Sequence, residues 1–331
     1  MQAFRIHNDQ QGYRAGVEEL SLDQINPGQV TIKTLYSSVN FKDALAGTGK
    51  GKILRQFPLV GGIDVCGVVT ESVDTRFREG DHVLVTGCGL SETRDGGYAE
   101  FNRLEADWVV PLPKGLTPRQ AMALGTAGFT AALSLLRMED NGQTPEMGPI
   151  VVSGATGGVG MLAIDLLTTA GYDAHAISGK PDRFDELIAL GAKQCIDRHN
   201  LYFGQRPLEA ATWAGVIDNV GGELLSGLTR MIKPYGNVAI CGLTGGSELQ
   251  TTVMPFIIRG VSLLGIASSG TAYNIRSEIW QRLASAWKPR FLDRIATDEC
   301  ALEGLPAIFD RLLAGQAFGR TVVKLAGMGE A

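Results

Sequence analysis

Residues 149–160, Pro-Ile-Val-Val-Ser-Gly-Ala-Thr-Gly-Gly-Val-Gly, constrain the fold more than any other stretch of this chain. A short β-branched run stops at a cluster of four glycines, and an apolar helical pattern begins at once. Strand, glycine turn and helix in that order suit a dinucleotide pyrophosphate. The glycines let backbone N–H groups approach the phosphates, and the following helix turns its positive end toward them. Gly157 and Gly160 hold the last two positions of the dinucleotide fingerprint, with Ala155 where its first glycine would be. A plain structural turn is the alternative; the strand before, the helix after and further α/β units downstream favour the nucleotide.

The next strand end bears on which nucleotide. The run 173–177 reads as the second strand and leads into Ser178-Gly179-Lys180-Pro181-Asp182-Arg183. NAD-binding folds carry an Asp or Glu about 20 residues past the glycines, which binds the ribose 2′-hydroxyl. Here Ser178 holds that region and Lys180 follows. A carboxylate would repel a 2′-phosphate, whereas a hydroxyl and a cation bind it, so NADP(H) is expected. Arg183 on the next turn adds to this or is an ordinary solvated helix-start residue.

The chain has 331 residues, a net charge of −5 and five cysteines. Its length suggests two domains. An acidic balance provides no basic footprint for nucleic acid or an anionic membrane. No apolar run reaches the ~18 residues of a membrane span. The start, Met1-Gln-Ala-Phe-Arg-Ile, enters a strand-like pattern without a signal peptide's apolar core. A cytoplasmic location is therefore expected. Cys66, Cys88, Cys195, Cys241 and Cys300 are scattered and form no Cys-x-x-Cys pair, so reduced structural thiols are expected.

Residues 1–120 read as a β-rich, barrel-like domain of short apolar runs such as 29–36, 67–70 and 82–86, separated by glycine and proline turns. Near Leu116 the texture changes, and Thr117-Pro118 looks like a helix cap and first turn. Over 121–266, strands at 194–196, 215–218, 237–241 and 262–266 join the two already placed. Helices lie between them, including 182–190 and 222–232. Six strands with intervening helices make an α/β, doubly wound parallel sheet. Residues 267–331 turn helical (275–287, 302–314) and end in a strand, 320–325, that rejoins the N-terminal β domain.

With these residues in view, the chain resembles the medium-chain dehydrogenase/reductase superfamily over nearly its whole length. Within it the resemblance is to the zinc-free quinone-oxidoreductase-like branch, and closest to the acrylyl-coenzyme A reductases. The stretches that carry it are Ser37-Ser-Val-Asn-Phe-Lys-Asp-Ala-Leu45, Thr48-Gly-Lys-Gly-Lys52 and Pro58-Leu-Val-Gly-Gly-Ile-Asp-Val-Cys-Gly67. Gly125-Thr-Ala-Gly-Phe-Thr-Ala131, Thr251-Thr-Val-Met-Pro-Phe-Ile-Ile-Arg259 and Gly319-Arg-Thr-Val-Val-Lys324 complete the set. The glycine loop and Gly-Phe-Thr-Ala are superfamily-wide; Lys-Asp-Ala-Leu, Gly-Lys-Gly-Lys and Val-Met-Pro-Phe-Ile-Ile-Arg are narrower.

The resemblance implies a Rossmann domain joined to a GroES-like catalytic domain that the C-terminal tail completes. It also implies a cofactor between the two domains and a homodimer. It assigns cofactor contacts to Thr156, Gly157, Gly158 and Val159 at the phosphate loop. Ser178, Gly179 and Lys180 fall at the 2′-phosphate, with Arg198 nearby. Leu243, Ile257 and Ser268 fall toward the nicotinamide, and Phe41 replaces a tyrosine that contacts the cofactor in relatives. Gly315 stands where some relatives have asparagine.

Zinc-dependent relatives need Cys and His ligands. Here Asn40 occupies the ligand-cysteine position, and Gly62-Ile63-Asp64 replaces Gly-His-Glu. The four histidines, His7, His82, His175 and His199, show no metal-ligand spacing, so no metal is expected. A chain without a Lewis acid suits substrates with built-in electron demand, an activated alkene or a quinone. For a short 2-enoyl thioester, NADPH delivers hydride to the β-carbon and charge builds on the thioester oxygen, which needs fixed donors. The expected reaction is acrylyl-CoA to propionyl-CoA, with NADPH:quinone oxidoreduction as the alternative. Asn40 is the candidate donor, or else a turn-forming residue. Asp43 either orients Asn40 or Lys42, or is a helix N-terminal acid. Tyr98 offers a hydroxyl or packs the core. Arg259 and Arg320 reach a coenzyme A phosphate or form surface salt bridges.

Overall fold

The computed structural model describes residues 1–325. The chain divides into two compact units. The first comprises Met1–Thr126, Ser268–Ala284 and, among the described residues, 292–325; the second comprises Ala127–Ala267 and Ser285–Phe291. The sequence places its boundaries at 120/121 and 266/267, whereas the units part at Thr126/Ala127 and Ala267/Ser268. The end of the expected return segment, 326–331, lies outside the described residues.

The first unit opens with β1 (Gln2–Asp9), β2 (Gly12–Glu19), β3 (Val30–Ser38), α1 (Phe41–Thr48) and β4 (Leu59–Val60). It continues through β5 (Asp64–Ser72), β6 (His82–Thr86), β7 (Phe101–Leu104) and β8 (Val110–Pro111). The period-2 pattern read from the sequence is visible in β3, where Val30 and Ile32 are buried and Lys33 is exposed. Helix α2 (Pro118–Asp140) follows, broken at Gly125, whose φ is +50°. By length and composition α2 is apolar enough to cross a bilayer, which the sequence reading did not expect. Yet 89% of its most apolar stretch is buried inside the protein itself, as in a core helix.

The second unit contains β9 (Ile150–Ser153), α3 (Gly158–Thr169), β10 (Ala174–Ser178), α4 (Phe184–Ala189) and β11 (Gln194–Asp197). Then come β12 (Trp213–Asp218), α5 (Gly222–Thr229), β13 (Ile232–Ile240), α6 (Met254–Arg259) and β14 (Ser262–Gly265). Its sheet runs β11-β10-β9-β12-β13-β14, with every pair parallel. That order reverses between β9 and β12, as in a doubly wound Rossmann sheet, and puts a ligand crevice at the carboxyl ends of those strands. Strands β9 and β12 are buried along their whole length, which is why they read as unbroken apolar runs. Helix α5 stops at Thr229 rather than 232, because Ile232 already pairs with Trp213. The register then shifts past Pro234 and resumes at Gly215↔Asn237.

The tail supplies α7 (Tyr273–Leu283), α8 (Leu292–Ile295), β15 (Asp298–Cys300), α9 (Leu305–Leu313) and β16 (Thr321–Lys324). As expected, the final strand rejoins the first unit: β16 pairs antiparallel with β3 and parallel with β15. Phe309 of α9 lies edge-on to Phe4 of β1, ring centroids 5.8 Å apart, so the C-terminal segment is part of the N-terminal core.

Candidate active site and nucleotide-binding loop

In the second unit the glycine turn links β9 to α3. Gly157 is the N-cap of α3, with no side-chain capping bond and no acid in the first helical turn. The first amides of α3 are therefore free of internal competition for an anion. A Cβ on Gly160 would come within 2.7 Å of Ala155 Cα, so only glycine lets helix and turn pack this closely. The turn is also tied sideways, since the Ala155 amide donates to the Ile177 carbonyl of β10 at 3.1 Å. Two groups that the sequence reading missed fasten its other side. The buried Asp218 at the end of β12 accepts from the Ser153 hydroxyl at 2.6 Å and the Gly221 amide at 2.7 Å. Asn219 donates its amide to the Ser153 carbonyl at 2.7 Å. The signal for them was a carboxylate and an amide ending an otherwise apolar strand. This cradle of unengaged amides fits a pyrophosphate.

The groups expected around a 2′-phosphate come together at the carboxyl ends of β10 and β11. The Ser178 hydroxyl is buried, 3.1 Å from the Thr156 hydroxyl, and accepts from the Lys180 amide at 3.1 Å. Ser178 thus holds the bend as well as offering an oxygen. Lys180 is half-buried, and burial, then the charge of Arg183, pulls its ammonium below the usual range. Arg198 follows β11 and packs on Gly179, leaving 2.6 Å between its Nε and the place a Cβ would take. The nearby Asp197 carboxylate caps its own turn by accepting from the His199 amide at 2.9 Å. Arg183 pairs with Asp182 and Glu186. Of the residues expected toward the nicotinamide, Leu243 lies in the loop after β13 and Ile257 on α6, both exposed. Ser268 belongs to the first unit, where its carbonyl accepts from the buried Arg276 guanidinium at 3.4 Å.

The first unit gathers a buried polar network around Asp64, at the start of β5. Its carboxylate accepts from the Ser38 hydroxyl (2.6 Å), the Asn40 side-chain amide (2.8 Å) and the Thr126 hydroxyl (2.6 Å) and amide (3.0 Å). Arg320, just before β16, stands 4.0 Å from it. The Arg320 guanidinium donates to the Ser38 hydroxyl (2.7 Å), the Val39 carbonyl (2.7 Å), the Asn40 amide oxygen (3.0 Å) and the Ala123 carbonyl (3.2 Å). Neither of the readings considered for Arg320 from the sequence, a coenzyme A contact or a surface ion pair, fits this arrangement: it is 4% exposed. Arg259 likewise donates to the carbonyls of Arg230 (2.9 Å), Ile232 (3.0 Å) and Glu209.

Asn40 is the N-cap of α1 and Asp43 its third residue, and each holds the other. Asp43 accepts from the Asn40 backbone amide (2.8 Å), the Asn40 side chain (3.1 Å) and the Ile63 amide (2.9 Å). Both roles weighed for Asp43, helix-start acid and Asn40 orienter, are thus filled together, while Lys42 pairs with Glu92. The expected role of Asn40 as a donor to substrate meets a different geometry. Its side-chain NH₂ already donates to two carboxylates and its oxygen accepts from Arg320, so reaching a substrate oxygen requires releasing one of these bonds. Phe41, next to it, is 40% exposed. Tyr98 is buried, and its hydroxyl donates to the Ser38 carbonyl at 3.1 Å, so it both packs and supports the network. Gly125 closes the arrangement: a Cβ there would stand 2.6 Å from both Asp64 Oδ2 and Ser38 Oγ.

The chain as a whole matches a known protein class. Residues 26–114 match the alcohol dehydrogenase GroES-like domain family, and residues 158–285 the zinc-binding dehydrogenase family. The chain is 43% identical to acrylyl-CoA reductase AcuI of Ruegeria pomeroyi over 311 residues, 94% of each chain. The yhdH oxidoreductase of Salmonella enterica, solved in complex with NADP, is 44% identical with a TM-score of 0.95. That match covers 98% of this chain and all of the other. Bacillus subtilis protein yhfP, solved with NAD bound, is 43% identical with a TM-score of 0.94, covering 98% and 99%. The chain belongs to the medium-chain dehydrogenase/reductase superfamily.

The zinc that one family description names does not fit these residues. Where a ligand set would need thiolate or imidazole donors, the network holds an amide, two carboxylates and a guanidinium that already supplies the positive charge. Among the described residues, no group of three or more His, Cys, Asp or Glu side chains is arranged for a metal.

Burial, and then the negative charge of Asp64, raises the Asp43 carboxyl to about 7. The unfolded chain releases this proton near 3.8, so the network's stability falls as pH rises from there to about 7. A ¹³C titration of the Asp43 carboxyl should show a midpoint near 7 and move to lower pH in Asp64→Asn, which removes the repelling charge. A wild-type midpoint near 4 would contradict this electrostatic description.

Proposed function

We propose that the chain is an NADPH-dependent reductase of short 2-enoyl thioesters, acting on acrylyl-CoA to give propionyl-CoA. The near full-length similarity to an acrylyl-CoA reductase carries this reading of the substrate. The relatives solved with dinucleotides include NADP and NADPH complexes and one with NAD, so the cofactor is argued from this chain's own residues. The end of β10 offers a hydroxyl, a half-buried ammonium and a neighbouring guanidinium, while Asp197, opposite Ser178 on β11, turns its carboxylate into its own cap. That set favours a 2′-phosphate over a free ribose hydroxyl.

NADPH, when bound, supplies the hydride. The glycine turn and the first amides of α3 hold the pyrophosphate, and Lys180 with Arg198 holds the adenosine end. In the other unit Asn40 is held by three neighbours, and it can donate to a substrate oxygen only by exchanging one of its two carboxylate bonds for it. The Arg320 guanidinium keeps positive charge against that amide's oxygen. Asp43, titrating near neutrality and hydrogen-bonded to Asn40, sets the local charge with pH. An activated alkene needs this kind of fixed electrostatics, whereas an alcohol would need a stronger Lewis acid.

Two measurements test the reading. Following NADPH oxidation, acrylyl-CoA should be turned over with a kcat/KM well above that of a simple benzoquinone; comparable or better efficiency with the quinone would replace this reading with NADPH:quinone oxidoreduction. Lys180→Ala should weaken NADPH binding by about tenfold or more, at the low end for a lost charge-assisted hydrogen bond because the side chain is part-exposed. NADH affinity should barely change, and equal losses for both dinucleotides would remove the 2′-phosphate assignment.

A further inference from the structure

The Gly-Lys-Gly-Lys segment after α1 has no part in either site described above, yet it begins a cationic stretch in an acidic chain. Between Asp43 and Asp64 the sequence has no acid and three cations, Lys50, Lys52 and Arg55. All three are exposed, and none is paired with a carboxylate among the described residues. The nearest cation before them, Lys42, is already paired with Glu92.

The backbone beneath these cations is fixed. Gly49 caps α1 in the left-handed region and packs against the Tyr13 ring, whose hydroxyl donates to the Ala46 carbonyl. The Gly51 amide donates to the Leu45 carbonyl at 3.3 Å and the Ile53 amide to the Gly51 carbonyl at 3.0 Å. Leu54 is buried, and beyond it the Arg55 amide donates to the Glu92 carbonyl at 2.8 Å. Beside this loop stands an exposed aromatic pair. Tyr13 and Phe57 meet edge to face at 5.7 Å, with 36% and 37% of their surfaces open to solvent. Unpaired cations on an ordered loop beside an open aromatic face match one ligand chemistry, a purine nucleotide carrying several phosphates.

We propose that the Gly49–Phe57 loop, with Tyr13, docks the 3′-phosphorylated adenosine diphosphate end of the coenzyme A thioester. Lys50, Lys52 and Arg55 meet its phosphates, and Phe57 meets the adenine face. This rests on the thioester reading above and adds to it the residues that select the carrier. Helix α1 ties the two ends together: Asn40 and Asp43 stand at its N-terminus and the cationic loop at its C-terminus. Eight residues make it about 12 Å long, and an extended pantetheine arm exceeds that span. A substrate can therefore lay its thioester near Asn40 while its nucleotide reaches the loop.

The test uses the protein saturated with NADP⁺, so that the dinucleotide site is filled, and adenosine 3′,5′-bisphosphate as the probe in calorimetry. Wild type should bind it with an affinity that falls as salt is raised. Lys50→Gln/Lys52→Gln should bind it about tenfold or more weakly, with melting temperature and NADPH affinity unchanged. In turnover the same variant should raise KM for acrylyl-CoA by a similar factor and leave kcat alone, the mark of binding equal in ground and transition states. The acrylyl thioester of N-acetylcysteamine, which lacks the nucleotide, should be reduced equally well by both proteins. No bisphosphate binding to wild type, or equal binding to both proteins, overturns the proposal. Failure of wild type to reduce either thioester would overturn the thioester reading, and the bisphosphate titration would still decide whether the loop takes the nucleotide.

Discussion

The contacts of the Asp64 carboxylate hold the catalytic unit in register. This single buried side chain receives hydrogen bonds from the end of β3, the start of α1 and the break in α2, and faces the cation that precedes β16. A carboxylate without water is costly unless its lone pairs are filled, and here they are filled by segments far apart in sequence. Ser38 and Arg320 are 282 residues apart yet share one hydrogen bond. The position of Asn40 is a consequence of this arrangement, since its amide group is held at both ends by charged neighbours. Gly125 shows how tight the packing is, because no other residue fits against the carboxylate at that break.

The second unit uses the same device on a smaller scale. Asp218 and Asn219 fill the polar needs of Ser153 and the turn after β12. This leaves the glycine turn ordered while its helix amides stay unengaged. Each unit thus spends buried polar groups on fixing backbone. In one unit this leaves a row of amides with a cationic flank. In the other, the Asn40 amide stays buried and bonded to two carboxylates and a guanidinium.

Much of this was legible in the sequence because it rests on local patterns. The six parallel strands showed as short apolar runs, and the phosphate turn showed because glycine is required where backbone and helix crowd together. The final strand showed because Thr-Val-Val-Lys alternates in the right place. The network around Asp64 was only half legible. Its replacement of a histidine and acid pair could be read, but Arg320 looked like any arginine next to a glycine, and its burial depends on residues some 280 positions away. Asp218 was hidden for a similar reason: a carboxylate at a strand end reads as solvent-facing until the neighbouring strand supplies Ser153. The length of α5 also misled, since helical periodicity continues past Thr229 and only the pairing of Ile232 with Trp213 ends it.

Asp64 and Arg320 act as one unit to position Asn40. A double-mutant cycle on kcat tests it most directly, using Asp64→Asn, Arg320→Gln and the double variant, each with folded fraction and NADPH affinity measured alongside. Either single change should cost nearly as much as both together, a coupling of about 1–3 kcal/mol, with NADPH affinity unchanged. Additive losses in kcat from fully folded variants would contradict it.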